Sequence, residues 1–202
     1  MSKLAKESAL IVMHCQNDIV MEEGLYSGSG AFAEVKRRST LEKIAEALKL
    51  ARESGMLVVY INNAFRPGYP ELKGNCLPIC TASRDTNSFL VDTWGTANPD
   101  CIKPAEGDIV MINHNTSAFS YTNLDQILRA QHIEKLFLAG VATNFVVDST
   151  ARYGSELGYE IHVLEDCCAS WTKEMHEFEV KNILPQFGTV EALSDLEAGL
   201  KA

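Results

Sequence analysis

The residues best placed for chemistry follow two apolar runs, each at the point where a strand should end. The run Ala9–Met13 leads into His14, and the run Leu136–Ala139 leads into the segment Gly140–Asn144. An imidazole has an unperturbed pKa of about 6.5, so His14 is able to act as an acid or a base near neutral pH. If the two runs are neighbouring parallel strands, both segments open at the carboxyl edge of the sheet, where ligand crevices form.

The cysteines are a second possible source of chemistry. The chain holds six of them and shows no secretory feature, which favours free thiols over a disulfide framework. Cys76 and Cys80 have a C-x3-C spacing, but no second close pair of Cys or His follows to complete a tetrahedral zinc site. The adjacent Cys167 and Cys168 are interpreted as packing residues.

Strands and helices alternate along the chain, which is the pattern of βαβ units around a mostly parallel sheet. One helix is predicted to begin at a capping box formed by Ser39 and Glu42 and to end at Gly55. The uninterrupted apolar runs Met56–Ile61 and Ile109–Ile112 are typical of strands that are covered on both faces. Further helices are predicted near residues 122–128, 144–156 and from 173, and further strands near 136–139, 160–164 and 190–193.

The composition bounds the class of protein. A chain of 202 residues that is 46% hydrophobic fits one compact domain, residues 1–202, with a full-sized core. The formal net charge of −9 argues against nucleic acid or an anionic membrane as a partner, so a small soluble molecule is the expected ligand. No apolar run has the length of a signal-peptide core or a membrane span, and the expected location is the cytoplasm.

A long segment without periodicity separates the second and third predicted strands. Between Asn63 and Lys103, residues such as Pro, Gly, Asn and Cys accumulate. A loop of this length inside a compact domain usually has a function rather than serving only as a connection. We therefore expect it to help enclose the site.

Taken together and in this order, five motifs resemble the isochorismatase-like (cysteine hydrolase) family over roughly residues 8–170. They are His14-Cys15-Gln16-Asn17-Asp18, Thr93-Trp94-Gly95, Asp108–Asn113, Ser117-Ala118-Phe119 and Gly140–Asn144. The resemblance implies a Rossmann-like, three-layer α/β/α fold with a central, mainly parallel sheet of about six strands. It also implies that the chain forms a homo-oligomer.

The same resemblance shows an altered catalytic centre. The family uses an aspartate, a lysine and a cysteine, and the matching positions here are His14, Asn113 and Val146. Valine has no nucleophilic atom, so a covalent thioester route is not expected. True isochorismatases work without the cysteine, which leaves acid–base chemistry at His14 with water as the nucleophile. Asparagine in place of lysine removes a charge that would lower the pKa of His14, and its amide is expected to orient the ring or bind substrate.

Further site residues are implied by the resemblance. Substrate-binding or oxyanion roles are predicted for Gln16, Ala142, Thr143 and Val146, and Trp94 and Phe119 are predicted to form pocket walls. The reserve candidates are His114, which should face away on a regular strand, and the thiols Cys15, Cys76 and Cys80. Nicotinamidases in the family bind zinc through an aspartate and two histidines after the second strand, and Ile61–Phe65 contains neither residue type. No metal and no other cofactor is expected.

Three functions remain open from the sequence. The first is a cofactor-free hydrolase that acts on a small polar molecule through His14. The second is a catalytically silent relative that keeps the pocket to bind a small molecule or a partner. The third is an isomerase or lyase that uses the same histidine.

Overall fold

The computed structural model of the protein describes residues 2–72 and 78–201. Its centre is one sheet of six strands: β1 Ser8–Met13, β2 Leu57–Asn63, β3 Ile109–Asn113, β4 Lys135–Val141, β5 Glu160–Ala169 and β6 Thr189–Glu191. The spatial order is β3-β2-β1-β4-β5-β6, and every neighbouring pair is parallel. The prediction of a Rossmann-like α/β fold with about six mainly parallel strands is confirmed.

Helices connect the strands. The α-helices within the described ranges are α1 Lys3–Glu7, α2 Asn17–Val20, α3 Ala31–Arg38, α4 Thr40–Ser54, α5 Pro78–Thr86, α6 Leu124–Ala130, α7 Asp148–Glu156, α8 Lys173–Phe178 and α9 Leu193–Lys201. A π-helical turn, Thr143–Val147, leads directly into α7. In the described ranges, no helix has the length and apolar character needed to cross a membrane.

The sheet separates two apolar cores, as successive side chains of each strand point to opposite faces. On β1, Leu10 and Val12 face the core that includes residues of α4, whereas Ile11 and Met13 face the core that includes residues of α6 and α7. All six residues of β1 are buried. A continuous apolar run such as this one therefore marks a central strand with helices on both sides.

The strand at the edge of the sheet corrects one prediction. We expected the run Ile109–Ile112 to be covered on both faces, but Val110 and Ile112 are 50% and 51% exposed. Their strand, β3, is paired on one side only, and within the described ranges no helix covers these two side chains. Apolar content alone does not distinguish this edge strand from a central one.

The start of α4 corrects a second prediction. Ser39 precedes the helix but makes no capping bond with its side chain, so the capping box with Glu42 is wrong. The reason is that Ser39 also terminates α3, where its backbone adopts a left-handed conformation with φ 52. An N-cap side chain needs an extended backbone to reach the first turn of its helix. The predicted end at Gly55 is confirmed, with φ 77 and backbone bonds to the last turn.

The site lies at the point in the sheet where the connections that follow two neighbouring strands lead to opposite sides. With the order β3-β2-β1-β4-β5-β6, this switch falls between β1 and β4, and the crevice opens at their carboxyl ends. Met13 of β1 pairs with Ile61 on one side and Gly140 on the other. His14, the next residue, therefore lies at the centre of the carboxyl edge of the sheet. The aperiodic segment after Asn63 contains α5 and the 3-10 turns Trp94–Thr96 and Asp100–Ile102.

Candidate active site

A pocket with about 570 Å³ of open space, part of it continuous with solvent, lies at this edge. Its walls come from the ends of β1, β2, β3 and β4, from the aperiodic segment, and from the residues after β5. The lining residues are His14, Ile19, Tyr26, Asn63, Phe65, Ser83, Phe89, His114, Asn115, Thr116, Val141, Ala142, Phe145, Val146 and Trp171. The pocket thus contains two of the three positions that the sequence marked as its centre, His14 and Val146.

The backbone at His14 directs the side chain into the pocket. Its φ of 53 lies in the left-handed region, which few residues other than glycine adopt. The backbone N–H of His14 still donates to the carbonyl of Ile61, at 2.8 Å, and so keeps the residue attached to β2. The strand therefore ends with a turn that exposes the imidazole to the cavity.

Asn113 holds one side of the His14 ring. Oδ1 of Asn113 lies 3.0 Å from Nε2 of His14, and the amide nitrogen donates to the carbonyls of Asn115 and Ser117, at 3.0 Å each. These two bonds fix which amide atom faces the ring. Since Oδ1 only accepts, Nε2 of His14 carries the hydrogen. Asn113 is 1% exposed and does not line the pocket, so of its two predicted roles the structure supports orienting the ring rather than binding substrate.

Asn63 contacts the other ring nitrogen. Its Nδ2 lies 3.3 Å from Nδ1 of His14 and acts as the donor, because the hydrogen of the neutral ring is on Nε2. The backbone of Asn63 is fixed by Gln16, whose Oε1 accepts from the backbone N–H and whose Nε2 donates to the carbonyl, both at 2.7 Å. Gln16 itself is fully buried and does not line the pocket, so its predicted contact with substrate is wrong.

Burial determines the charge of His14. Loss of water around the ring lowers its pKa from 6.5 to about 4, and the bond to Asn113 opposes this only in part. His14 is therefore neutral at pH 7. From the sequence, with a pKa near 6.5, His14 is able to act as an acid or as a base. In the neutral ring Nδ1 carries no proton, so this atom is able only to accept one.

The segment after β4 forms the wall opposite His14. Ala142 and Val146 line the pocket, and the peptide bond between Val141 and Ala142 is cis. At the start of the helical turn, the backbone N–H groups of Phe145 and Val147 donate to the carbonyl of Ala142, at 3.1 and 3.4 Å. The side chain of Thr143 does not line the pocket: it is fully buried, and its hydroxyl lies 2.8 Å from Nδ1 of His176. The side chain of Thr143 thus contacts His176 rather than the cavity, and an oxyanion role for this residue stays a prediction.

A polar network lies behind Thr143. Nε2 of His176 lies 3.4 Å from a carboxylate oxygen of Glu165, and the same oxygen accepts from Arg38 at 2.7 Å. Hydrogen bonds from His176 and then from Arg38 hold the pKa of Glu165 at about 2. The network joins α3, β5 and α8 to the turn that carries Val146.

The described cysteines are not placed for catalysis. Cys15 is fully buried, its thiol donates to the carbonyl of Met13, and burial raises its pKa far above the usual range. Cys167 and Cys168 are equally buried, with pKa values raised by the same cause. Cys76 lies outside the described residues, and Cys80 lies on α5 with a side chain that is not described.

Three further predictions are corrected. Trp94 is 52% exposed and lines a separate surface groove, not the pocket. Phe119 belongs to the core on the α6 and α7 side, where it stacks on Tyr153 and Tyr159. His114 does line the pocket, contrary to expectation, because β3 ends at Asn113 and strand alternation no longer applies.

The sequence interpretation missed most of the wall. Phe65, Phe89, Phe145 and Trp171 all line the pocket, and Phe145 packs against Trp171 with ring centroids 4.5 Å apart. Phe89 is held in place by Asp18, whose carboxylate accepts from its backbone N–H at 2.7 Å. As a possible site residue, Asn63 enters the sequence analysis only as part of Ile61–Phe65, a stretch without aspartate or histidine for a zinc site. Its place directly after a strand next to β1 was the signal that could have identified it.

The charge of the pocket is as informative as its shape. Over residues 2–72 and 78–201, no Lys, Arg, Asp or Glu lines it. The same ranges contain no cluster of three His, Cys, Asp or Glu residues that could hold a metal ion. The polar side chains in the lining are amides, hydroxyls, one indole and two imidazoles.

Comparisons with known proteins agree on one family. The isochorismatase domain matches residues 8–195 of this chain. Ureidoacrylate amidohydrolase RutB of Methylorubrum extorquens is 32% identical over 210 residues, covering 98% of this chain and 84% of that protein.

Two solved structures extend the comparison. An isochorismatase family protein from Burkholderia thailandensis superposes with a TM-score of 0.78 at 26% identity, covering 98% of both chains. N-carbamoylsarcosine amidase from Thermoplasma acidophilum gives a TM-score of 0.71 at 26% identity, covering 93% of this chain and 96% of that one.

Proposed function

Since this chain belongs to the isochorismatase-like hydrolase family, we propose that it is a hydrolase that works without a covalent nucleophile and without a cofactor. His14 acts as a general base on a water molecule, and the water attacks a small uncharged substrate held in the pocket. Val146 stands at the position of the family's cysteine and supplies no attacking atom.

The observation that carries this proposal is the bond between Asn113 and His14. It keeps the hydrogen of the ring on Nε2 and leaves Nδ1 as the acceptor, which Nδ2 of Asn63 contacts at 3.3 Å. With a pKa of about 4, His14 is an unprotonated acceptor at neutral pH. An aspartate, which has an ordinary pKa of about 3.9, is an acceptor over the same range. The replacement therefore keeps the proton-accepting function of the position and removes its charge.

The chemical step follows from this geometry. Nδ1 of His14 takes a proton from water as the water oxygen bonds to the electrophilic atom of the substrate. The charge of the resulting imidazolium is supported through Nε2–H by Oδ1 of Asn113. The developing oxyanion is stabilised by backbone N–H groups of the turn that carries Val146. When the tetrahedral intermediate collapses, the bond to the leaving group breaks, and the leaving nitrogen or oxygen takes the proton from Nδ1 of His14, which restores the neutral ring. The water must first displace the 3.3 Å contact from Asn63, which is long for a hydrogen bond.

The relatives supply the first reaction class to test. Ureidoacrylate amidohydrolase and N-carbamoylsarcosine amidase are both named for the hydrolysis of amide bonds. Ureidoacrylate carries a carboxylate, for which the described lining here provides no cation. We therefore propose a different substrate, without a negative charge. Acid catalysis on vinyl ethers, and an isomerase or lyase that needs a protonated His14, are disfavoured by its lowered pKa.

A second candidate is a binding module without catalysis. The observation in its favour is that both ring nitrogens of His14 are already bonded to Asn113 and Asn63. A pocket that satisfies its own polar groups is suited to hold a ligand without acting on it.

One experiment separates the two candidates. Small uncharged amides and esters are screened for hydrolysis, with intact-protein mass spectrometry during turnover. Hydrolysis without an acyl adduct supports the proposed mechanism, whereas an adduct on any residue overturns it. Tight binding of a ligand in the pocket with no hydrolysis in the screen selects the binding module.

A further inference from the structure

One residue that lines the pocket, Asn63, has a buried side-chain atom without a hydrogen-bond partner. Oδ1 of Asn63 is buried and unpaired, although the other polar groups of the same residue are all engaged. Its backbone N–H and carbonyl are bonded to Gln16, and its Nδ2 is bonded to His14. A buried acceptor that lacks a donor costs free energy, which a ligand with a suitable donor recovers on binding.

The orientation of this amide is fixed by a chain of bonds. The carbonyls of Asn115 and Ser117 require the amide nitrogen of Asn113 to face them, which turns Oδ1 of Asn113 toward His14. Nε2 of His14 then carries the hydrogen, and Nδ1 accepts. Only Nδ2 of Asn63 is able to donate to Nδ1, so Oδ1 of Asn63 is left as the unpaired atom.

The surroundings of Asn63 describe the rest of the ligand. Phe65 follows it closely along the chain and packs against His114 with centroids 5.5 Å apart, while Tyr26 packs against Phe89 at 5.8 Å. Flat, largely apolar walls of this kind suit a ring, because aromatic rings pack favourably face to edge or offset. A ligand carboxylate would find no Lys or Arg among the lining residues that the structure describes.

We propose that Asn63 is a recognition residue, whose Oδ1 accepts a hydrogen bond from an N–H or O–H at the edge of an uncharged aromatic or heteroaromatic ligand. This assigns a ligand class to the pocket. It depends on the proposed hydrolase function only for the claim that such a ligand is turned over, and it holds equally for a binding module.

Matched probes test the recognition directly. Indole is compared with N-methylindole, and phenol with anisole, by ligand-observed NMR titration of the whole chain. In each pair the ring is kept and the donor is removed. We expect wild type to prefer the donor-bearing probe by about fivefold or more, the ratio that corresponds to one buried hydrogen bond. Benzoate is expected to bind more weakly than phenol.

Variants assign the preference to Asn63. Asn63→Leu is expected to reduce both ratios to about one, whereas Asn63→Asp keeps an acceptor and is expected to keep the preference. Asn62→Leu is the matched control on the same strand, because the Asn62 side chain bonds to Asn98 and does not line the pocket. Circular dichroism confirms that each variant is folded before it is compared.

The outcomes are distinct from those of the hydrolysis screen. Equal affinity within both pairs, failure of indole and phenol to bind at millimolar concentration, or an unchanged preference in Asn63→Leu overturns the proposal. Stronger binding of benzoate than of phenol overturns the assignment of an uncharged ligand. If the donor-bearing probes are preferred but no substrate is hydrolysed, the recognition role of Asn63 stands and the proposed hydrolase function is overturned. If a substrate is hydrolysed but the donor-bearing probes are not preferred, the hydrolase function stands and the recognition role is overturned.

Discussion

The imidazole of His14 and the amide of Asn113 form a hydrogen bond of 3.0 Å in which both partners are neutral at pH 7. In our sequence interpretation, these positions correspond to the family's aspartate and lysine, which form a pair of opposite charges. Under that interpretation, the exchange preserves a proton acceptor and its orienting partner but removes the electric field of the ion pair. A pocket built this way selects against charged ligands, because an isolated ion would lose its hydration there without gaining a counter-charge.

The role of His14 is testable with His14→Asn, since asparagine tolerates the left-handed backbone better than alanine does. Loss of a general base typically costs a factor of about 10²–10⁴ in rate, and we expect kcat for a substrate found in the screen to fall by that amount. His114→Asn is the matched control, because His114 also lines the pocket. If the control loses activity and His14→Asn does not, the reserve histidine is the base.

The pH dependence of kcat/KM should report the buried ring. Because burial lowers the pKa of His14 to about 4, the basic form is fully present at neutral pH. We expect kcat/KM to be flat from about pH 6 to 8 and to fall as the pH drops through about 4. A titration near pH 6.5 in steady-state kinetics would instead identify an imidazole exposed to water.

Thr143 should matter for stability rather than for contact with substrate. Thr143→Val keeps the shape of the side chain and leaves Nδ1 of the buried His176 without its partner. We expect the free energy of unfolding in urea to fall by about 1–3 kcal/mol. Thr189→Val on an exposed position of β6 is the control, with an expected change below about 0.5 kcal/mol. Equal effects of the two substitutions would contradict the importance of this bond.

His162 should make stability decline in alkaline solution. Burial by itself lowers its pKa, but bonds to Glu191 and Glu160, at 3.2 and 3.0 Å, raise it above the ordinary value. A group whose pKa is raised by folding stabilises the folded state. This stabilisation is fully present below the unfolded-state pKa of about 6.5 and is lost as the pH rises through the folded-state pKa. Thermal midpoints from pH 6 to pH 9 should therefore fall more steeply in wild type than in His162→Gln. Parallel curves would refute this.

Thiols should be dispensable. We expect iodoacetamide to modify the exposed Cys101 before the buried Cys15, Cys167 and Cys168, as followed by peptide mass spectrometry. The double variant Cys76→Ser, Cys80→Ser should keep its activity toward any substrate that the screen finds. Loss of turnover in that variant would show that a cysteine of the aperiodic segment does the chemistry.

The fold was largely readable from the sequence because its signals are local. The continuous apolar runs at β1, β2 and β4 mark buried strands, and Gly55 marks the end of a helix. The exposed faces of Val110 and Ile112 were not readable, since the edge position of β3 depends on the order of strands in space. The same holds for Ser39, whose backbone is already committed to the end of the preceding helix.

Motif order predicts that His14, Asn113 and Val146 come together. In the structure His14 and Val146 line one pocket and Asn113 bonds to His14, while their roles in catalysis stay predictions. The walls were not located this way: Trp94 and Phe119 lie elsewhere, whereas Asn63 and Phe89 line the pocket through long-range contacts. The pKa of His14 cannot be predicted from the sequence, because it depends on how far the fold removes the ring from water.

The left-handed backbone at His14 limits what evolution is able to place there. At a φ of 53, β-branched and bulky residues are strongly disfavoured, and asparagine, aspartate and histidine are the non-glycine residues that tolerate the conformation best. All three carry a side-chain hydrogen-bonding group. The backbone conformation of the turn at the end of β1 thus favours a residue with a polar side chain at the entrance of the crevice. The backbone conformation at this position therefore suits aspartate and histidine alike.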